Sequence, residues 1–298
     1  MIKLGSISAL FVLCSTLALN ANAEEVKASY NGLTVNANVV LAEGKSLTDE
    51  VVLLTHGTTT HNGRETYQAI QDLLAESGIS SVAPNLSLNV NDRHGEVDCA
   101  QPQSHKHHDA MKEIDFWVKW LASKGTRSVT LMGHSRGGNQ TAWYSVEQDS
   151  DLIKNVVLIA PQIWSKEAEF IGYEKKYQQP LQPLLAKAQK LVKAGKGDTQ
   201  LNNTNFIYCK DTSVTAEAFV SYYQPDERMD TPTLLKKATK PTLVIIGSAD
   251  NVVAGLADSM KRVDNEYVST YVIEDADHFF LDFFAEELVE EAVGFIQQ

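Results

Sequence analysis

Residues 133–137 read Gly-His-Ser-Arg-Gly, and the strand-like residues 128–132 precede them. A helix-compatible stretch, residues 138–147, follows. A serine on a tight turn between a strand and a helix has its hydroxyl exposed, and glycines two positions away on either side remove side chains that would collide there. The pattern predicts that Ser135 is a nucleophile held on a strained turn, a nucleophile elbow.

A serine hydroxyl needs a base to take its proton and a third group to fix the tautomer of that base. His278 and Asp250 each follow a strand pattern further along the chain, and the order Ser135, Asp250, His278 is the order expected for a nucleophile on an elbow. Asp275 and Asp277 are alternatives for the acid, but a side chain so near in sequence rarely reaches the ring nitrogen of His278. We therefore predict the catalytic residues Ser135, Asp250 and His278.

The elements that must position these groups are short apolar strands alternating with amphipathic helices. The strand patterns cover residues 51–55, 80–83, 128–132, 156–160, 242–246 and 268–273. This alternation is typical of an α/β fold with a mainly parallel sheet, helices on both faces, and ligands bound beyond the carboxyl ends of the strands. Asn31 and Gly32 form a two-residue hairpin signal, which predicts two antiparallel edge strands.

The alternation stops between residues 162 and 240, where polar, lysine-rich and glutamine-rich helical pieces take its place. We interpret residues 162–240 as a cap inserted into the α/β domain, because the segment is too short and too polar to bury much core of its own. Residues 86–108 show no periodicity and form a long loop, which indicates a function or a covalent tie at Cys99.

The chain begins with Lys3, the apolar stretch 7–19, and a small-residue cleavage pattern ending at Ala23. Residues 1–23 are therefore predicted to be a signal peptide, which leaves residues 24–298 as a secreted or periplasmic protein. A membrane anchor is the weaker interpretation because the stretch is short and contains polar residues. A lipoprotein site at Cys14 is also weaker, since Leu precedes that cysteine.

Two cysteines, Cys99 and Cys209, remain in the exported chain. They are predicted to form a disulfide, which would stabilise the fold by up to about 4 to 5 kcal/mol in the chain-entropy model. Two separate buried thiols are the alternative.

The net charge of -12, without a basic stripe, makes nucleic acid a poor partner. A metal site is weighed at a group of histidines and aspartates, but their irregular spacing is more typical of a solvated loop, and no cofactor is expected. The group comprises His94, Asp98, His105, His107, His108 and Asp109. Arg136, beside the nucleophile, holds either an acidic group of the substrate or, as the commoner case, solvent or a salt bridge.

From residue 51 to the C-terminus, apart from the cap, the sequence resembles the α/β-hydrolase superfamily. Residues 56–58, His-Gly-Thr, resemble its oxyanion loop, residues 133–137 its elbow, and Asp250 and His278 its acid and base. The resemblance implies an α/β-hydrolase fold with a sheet of about eight strands. It also implies an oxyanion hole formed by the backbone amides of Thr58 and Arg136, with Thr59 as the alternative to Thr58.

The function expected from these residues is hydrolysis of a small-molecule carboxylic ester through an acyl-enzyme on Ser135. A peptidase, a thioesterase or an acyltransferase would use the same triad, since a fold does not decide a reaction. A binding protein that kept the fold without turnover is the remaining alternative. It is disfavoured because Ser135, Asp250 and His278 are all present. No membrane anchor is expected after signal removal, and the sequence does not indicate an oligomeric state.

Overall fold

A computed structural model describes residues 23–148 and 150–298. The predicted signal peptide, apart from Ala23, lies outside the described residues. Within the described part of the chain, no helix combines the length and the apolar character needed to cross a membrane.

The strands and helices follow the predicted alternation. The strands are β1 (Glu24–Tyr30), β2 (Leu33–Val40), β3 (Glu50–Thr55), β4 (Ser80–Asn85), β5 (Ser128–His134), β6 (Ile153–Ile159), β7 (Gln200–Phe206), β8 (Cys209–Thr215), β9 (Thr242–Gly247) and β10 (Val268–Ile273). The helices are α1 (Glu65–Glu76), α2 (Asp109–Ser123), α3 (Ser135–Glu147), α4 (Lys166–Tyr177), α5 (Leu181–Lys193), α6 (Ala216–Tyr223), α7 (Thr231–Leu235), α8 (Leu256–Met260) and α9 (Phe283–Ile296), with a 3-10 turn at Glu227–Met229.

The main sheet has eight strands in the order β1-β2-β4-β3-β5-β6-β9-β10. Pairing is parallel from β4 to β10, while β2 is antiparallel to both β1 and β4. The mainly parallel sheet of an α/β fold is thus confirmed. The predicted hairpin at Asn31 and Gly32 is present with positive φ at both residues. Of the two hairpin strands, however, β1 alone lies at an edge of the sheet, because β2 pairs with β4 on its other side.

Alternation along β3 sends its side chains to opposite faces of the sheet. Leu54 packs in one apolar cluster with Ile70 and Leu74 of α1, and Leu53 packs in another with Ile114 and Trp117 of α2. Both faces of the sheet are therefore covered by helices. The carboxyl ends of the parallel strands remain free of these layers.

The segment between β6 and β9 contains α4, α5, the β7–β8 hairpin, α6 and α7. Its aromatic side chains form a hydrophobic cluster of their own, with Tyr173, Phe206, Phe219 and Tyr223 among its buried members. The expectation that this segment buries little core was wrong. The reason is that aromatic residues spread through a polar sequence meet when the hairpin packs on the helices.

A disulfide joins Cys99 of the long loop to Cys209 of β8. Close by, the amide of Gln103 donates to the Ser213 carbonyl at 2.7 Å, and the amide of Thr215 donates to the Gln103 carbonyl at 2.9 Å. The loop 86–108 is therefore tied to the cap hairpin by both covalent and backbone bonds.

Candidate active site

Ser135 lies at the junction of β5 and α3 with φ of +57°. This left-handed conformation is costly for a residue with a Cβ atom. Gly137 packs against the end of the neighbouring strand β3, where an added Cβ would lie 2.8 Å from the Thr55 carbonyl oxygen and closer still to that of His56. Gly133 has no space either, since an added Cβ would lie 2.6 Å from the Gly137 carbonyl oxygen. The two glycines thus permit the turn that displays Ser135.

Ser135, His278 and Asp250 form one hydrogen-bonded chain. The Ser135 Oγ lies 2.9 Å from His278 Nε2, and His278 Nδ1 lies 2.7 Å from Asp250 Oδ2. The other Asp250 oxygen accepts from the amides of Val252 at 2.7 Å and Val253 at 3.1 Å. Burial alone would raise the pKa of the Asp250 carboxyl, but the His278 ring and the two amides outweigh it and lower the pKa below its ordinary value.

Because ionised Asp250 only accepts hydrogen bonds, His278 Nδ1 carries the proton of that bond. The lone pair of His278 Nε2 is then free to accept the Ser135 hydroxyl proton.

The two alternative acids, Asp275 and Asp277, do not bond to the His278 ring. Asp277 is exposed and accepts from the Phe279 amide at 2.8 Å, and Asp275 bonds through its amide to Ser248 at 2.8 Å.

His134 lies beneath the elbow and connects the two ends of the site. The Gly57 amide donates to the Tyr67 hydroxyl at 2.8 Å, which donates to His134 Nδ1 at 2.9 Å, and His134 Nε2 donates to the His278 carbonyl at 2.8 Å. Burial lowers the pKa of His134 to about 3, so its ring is neutral and can serve both bonds. The sequence indicates only that Tyr67 belongs to an apolar helix face, and no local pattern shows this link.

Thr58 and Arg136 meet next to Ser135. The Arg136 Nε donates to the Thr58 hydroxyl at 3.0 Å, and Thr58 lines the same cavity as Ser135 and His278. The Arg136 amide belongs to the first turn of α3, where backbone N–H groups have no acceptor within the helix. Thr59, the alternative to Thr58, has φ of +53° and donates its hydroxyl to the Thr58 carbonyl.

His56 and Arg93 hold the loop that contains Thr58. His56 Nδ1 donates to the Gly57 carbonyl at 2.9 Å, and its Nε2 accepts from the Leu86 amide at 3.0 Å and from Arg93 at 3.1 Å. Burial lowers the pKa of His56 to about 3, which keeps Nε2 an acceptor. Arg93, only 5% exposed, also donates to the Thr60 carbonyl at 2.8 Å. A single arginine in a loop without periodicity gives no sequence signal that it holds the Thr58 loop in place.

Two of the histidines weighed as metal ligands, His105 and His107, have other partners. His105 Nδ1 bonds to the Tyr222 hydroxyl at 2.8 Å, and His107 Nε2 bonds to Asn139 at 3.1 Å. Among the described residues, the acidic and histidine atoms close enough to share an ion are those of Glu25, Asp92 and His94. The ammonium of Lys27 lies among these atoms and forms ion pairs with Glu25 at 3.2 Å and with Asp92 at 2.5 Å.

Two cavities adjoin the site. The first, here called the site cavity, has a volume of about 430 Å³ and is lined by Ser135, His278, Thr58 and both cysteines of the disulfide. The second, here called the cap cavity, has a volume of about 250 Å³. It is lined by Arg136, Glu169, Lys176, Tyr173, Tyr208 and Tyr222, among others. A larger cavity of about 510 Å³, beside Trp143 and Arg228, lies apart from Ser135 and His278.

The sheet order, the cap after β6 and the site at the carboxyl ends of β3, β5, β9 and β10 define an α/β-hydrolase. The model of the family described as serine aminopeptidase, S33, matches residues 47–282, and the chain belongs to this family.

Solved structures share the fold at low sequence identity. Est1E from Butyrivibrio proteoclasticus is 16% identical with a TM-score of 0.64, over 92% of this chain and 99% of that one. An esterase from Pyrococcus furiosus is 17% identical with a TM-score of 0.60, over 93% and 91%. A dienelactone hydrolase from Anabaena variabilis is 15% identical with a TM-score of 0.55, over 93% and 98%. No curated protein matches the sequence.

Proposed function

We propose that the protein is an exported serine hydrolase that cleaves carboxylic esters of small molecules through an acyl-enzyme on Ser135. The observation that carries the proposal is the chain of two hydrogen bonds, 2.9 Å and 2.7 Å long, from Ser135 through His278 to Asp250. A hydroxyl joined in this way to a neutral imidazole, itself oriented by a carboxylate, has the arrangement of an activated nucleophile.

In the first step, His278 Nε2 accepts the Ser135 proton while the Ser135 oxygen forms a bond to the ester carbonyl carbon. Asp250 keeps the ring in the required tautomer and stabilises the imidazolium that forms. The protonated His278 then donates to the leaving alcohol oxygen as the ester C–O bond breaks, which leaves the acyl group on Ser135.

The negative charge on the carbonyl oxygen would be stabilised by the amides of Thr58 and Arg136. Two such donors, fixed before the reaction begins, contribute more than donors that must reorganise. The hydrogen bond from the Arg136 side chain to the Thr58 hydroxyl supports this assignment, because it couples the two residues that supply the amides. In the second step, water activated by His278 attacks the acyl carbon and releases the acid and free Ser135.

The similarity to an esterase from Pyrococcus furiosus and to an esterase domain from Rhodothermus marinus supports an ester as substrate. The family description favours a second candidate function, aminopeptidase action on an amide bond with the same three side chains. The distinguishing property is the bond cleaved. Esters have the better leaving group, so an amide substrate would require stronger assistance to the departing amine.

Export rests on the apolar stretch 7–19 and the cleavage pattern ending at Ala23. The Cys99–Cys209 disulfide supports it, because disulfides persist mainly in oxidising compartments. Cell fractionation of the full-length chain, with N-terminal sequencing of the exported product, tests this part. Protein retained in the cytoplasm with Met1 in place would contradict export.

The activity is tested by labelling with a serine-directed fluorophosphonate and by a panel of ester, thioester and amino-acid anilide substrates. We expect labelling at Ser135, ester hydrolysis, and a loss of kcat of about 10³- to 10⁶-fold in Ser135→Ala. Ser123→Ala, at an exposed hydroxyl at the end of α2, is the control and is expected to match the wild type. A folded protein that is not labelled would exclude the proposal, and faster cleavage of anilides than of esters would favour the aminopeptidase.

A further inference from the structure

Arg136 is half-buried next to the nucleophile, yet it has no acidic partner. Its Nε donates to the Thr58 hydroxyl at 3.0 Å and its Nη1 donates to His107 Nδ1 at 3.2 Å. Across residues 23–148 and 150–298, no carboxylate forms an ion pair with it. A guanidinium has five N–H donors, so three of them have no acceptor in this part of the chain.

The hydrogen bonds around His107 show that this histidine offers Arg136 a neutral acceptor. Asn139 Nδ2 donates to the Arg228 carbonyl at 3.0 Å and to Thr231 Oγ1 at 3.2 Å, which leaves Asn139 Oδ1 as the acceptor for His107 Nε2. The proton of His107 is therefore on Nε2, and Nδ1 accepts from Arg136. Burial lowers the pKa of His107 to about 3, in agreement with a neutral ring. The site thus orients the Arg136 charge without neutralising it.

The cap cavity lined by Arg136 is positively charged. Lys176, at its rim, donates to the Ile207 carbonyl at 2.7 Å and lies 4.0 Å from the Tyr208 ring centre. In the described part of the chain, Lys176 also has no carboxylate partner. Glu169 is the acidic group in the wall. Burial raises the pKa of its carboxyl, while the charges of Arg136 and Lys176 oppose that rise, so two cations face one acidic group in this cavity.

The cap cavity adjoins the place where the ester would react. Tyr208 lines both this cavity and the site cavity that contains Ser135. Arg136 follows Ser135 directly in the chain, and its guanidinium lies 5.2 Å from the Tyr222 ring centre in the cap cavity wall. A substrate with its carbonyl at Ser135 can therefore extend one end past Tyr208 toward Arg136.

We propose that the cap cavity binds a carboxylate carried by the substrate and that Arg136 is the residue that selects for it. This inference rests on the proposed esterase function and deepens it by naming the substrate class, esters with an anionic end. An arginine held at two points presents its remaining donors as a fork that fits a carboxylate. The hydrogen-bond acceptors of Arg136, Thr58 and His107, are both neutral, so neither hydrogen bond cancels the charge that the anion would meet.

An ammonium group bound by Glu169 is the opposite possibility for the same cavity. It would face Arg136 and Lys176 at close range, and like charges in a partly buried site are unfavourable. The anionic substrate is therefore the occupant that the charges favour.

The test compares monoethyl esters of straight-chain dicarboxylic acids, from succinate to suberate, with their diethyl esters after correction for the second ester group. These probes place the charge on the acyl side, and 4-acetoxybutyrate against its methyl ester places it on the alcohol side. In the wild type, kcat/KM for the charged member of at least one pair should exceed that of its neutral partner by about 10- to 100-fold. Arg136→Met should reduce that ratio to about 1.

Two further variants distinguish recognition of the anion by Arg136 from a purely structural role. Arg136→Lys retains the charge without the fork and should keep an intermediate ratio, which a purely structural role would not predict. Arg262→Gln removes an exposed arginine that donates only within its own helical segment, and it should leave the ratio unchanged. Because Arg136→Met also removes the hydrogen bond to Thr58, the ratio of the two substrates is the readout, and absolute rates are not.

Calorimetry with Ser135→Ala supplies a readout that does not need turnover. The monoethyl ester preferred in the assay, or adipate monoethyl ester if none is cleaved, should bind, and adding Arg136→Met should weaken its binding by about tenfold or more. Ester hydrolysis without a charge preference, or with a preference unaffected at Arg136, would overturn the anion site and leave the proposed function standing. Binding that depends on Arg136 without any hydrolysis would overturn the proposed esterase function and leave the anion site standing. The two hypotheses can therefore fail separately.

Discussion

The elbow at the sheet edge and the cap cavity lie beside each other but hold their polar groups by different means. At the elbow, the backbone around Gly137 has no space for a methyl group, and Asp250 receives three hydrogen bonds. In the cap cavity, Lys176 is exposed, and the Glu169 carboxylate has no hydrogen bond or ion pair among the described residues. Arg136 uses two of its five N–H donors. The polar groups of the elbow thus have their hydrogen-bonding capacity filled by the protein, whereas those of the cap cavity do not.

We interpret this difference as a separation of the chemistry at the elbow from the substrate selectivity that we propose for the cap cavity. Groups that transfer protons must keep their geometry within fractions of an ångström, so their partners are supplied internally. Groups that recognise a substrate gain most when their partner is the substrate itself, because a satisfied group has nothing left to offer. The contrast predicts that a contact broken in one region has little effect on the other.

The largest effect is expected for Asp250→Asn. An amide in place of the carboxylate would donate to His278 Nδ1, force the proton onto Nε2 and remove the acceptor that Ser135 needs. We expect kcat for the preferred ester to fall by about 10⁴-fold with the fold intact. Steady-state kinetics and circular dichroism measure the two quantities.

Asp277→Asn is the matched control, one residue before His278. Its carboxylate is exposed and bonds to the Phe279 amide, not to the imidazole. We expect kcat to change less than about threefold, as for an ordinary surface substitution. A loss at Asp277 equal to that at Asp250 would mean that the acid has been assigned to the wrong residue.

Acid should destabilise both regions, since burial lowers to about 3 the pKa of two histidines under the elbow and two beside the cap. These are His56, His134, His105 and His107. Well above pH 6.5 each is neutral in both folded and unfolded chains, and the free energy of unfolding is at its full value. As pH falls from 6.5 toward 3 the unfolded chain alone gains protons. The loss is about 1.4 kcal/mol per pH unit for each histidine, or roughly 6 kcal/mol in all at pH 5.5.

His105→Phe separates the cap contribution from the rest. His105 packs against Phe206 and Tyr222 and has a buried Nε2 without a partner, so a phenyl ring fits the same aromatic surroundings. Urea unfolding at a series of pH values should give a slope lower by about 1.4 kcal/mol per pH unit than in the wild type. An unchanged slope would show that His105 titrates normally in the folded protein.

The sequence predicts the elbow well because its constraints are local. Gly133 and Gly137 are needed by the turn itself, and Asp250 and His278 follow strands whose apolar runs identify them. In a parallel sheet the carboxyl ends of such strands lie at the same edge, so the elbow, Asp250 and His278 are predicted to lie together there. The predicted strand at residues 268–273 coincides with β10, Val268–Ile273.

The sequence predicts the cap poorly because its order comes from contacts between distant residues. The β7–β8 hairpin begins with a run of Gln and Asn that has no strand pattern, and it is held by pairing and by the aromatic cluster around Phe206. The hydrogen bond from Arg136 to His107 joins α3 to the long loop, and no periodicity in the sequence predicts this contact. The sequence therefore leaves both interpretations of Arg136 open, a substrate contact and a solvent or salt-bridge contact.

The disulfide is the strongest tie between the long loop and the cap, and its removal should loosen the cap before the sheet. A Cys99→Ser, Cys209→Ser variant releases a crosslink of 110 residues. This costs up to about 4 to 5 kcal/mol in the chain-entropy model. Hydrogen exchange should accelerate in β8, Cys209–Thr215, more than in β5. Equal acceleration in both strands would contradict a separately anchored cap.

The smallest effects come from adding one methyl group in each region. In Gly137→Ala the new Cβ would collide with the His56 carbonyl oxygen, and the turn must move, so we expect a loss of about 3 kcal/mol in the free energy of unfolding. Gly172→Ala, within α4, places its Cβ in open space and should gain about 0.5 to 1 kcal/mol from helix propensity. Urea denaturation of both variants checks the opposite signs. A loss at Gly172 as large as at Gly137 would show that the cap is as tightly packed as the elbow, and the contrast between saturated and open regions would fail.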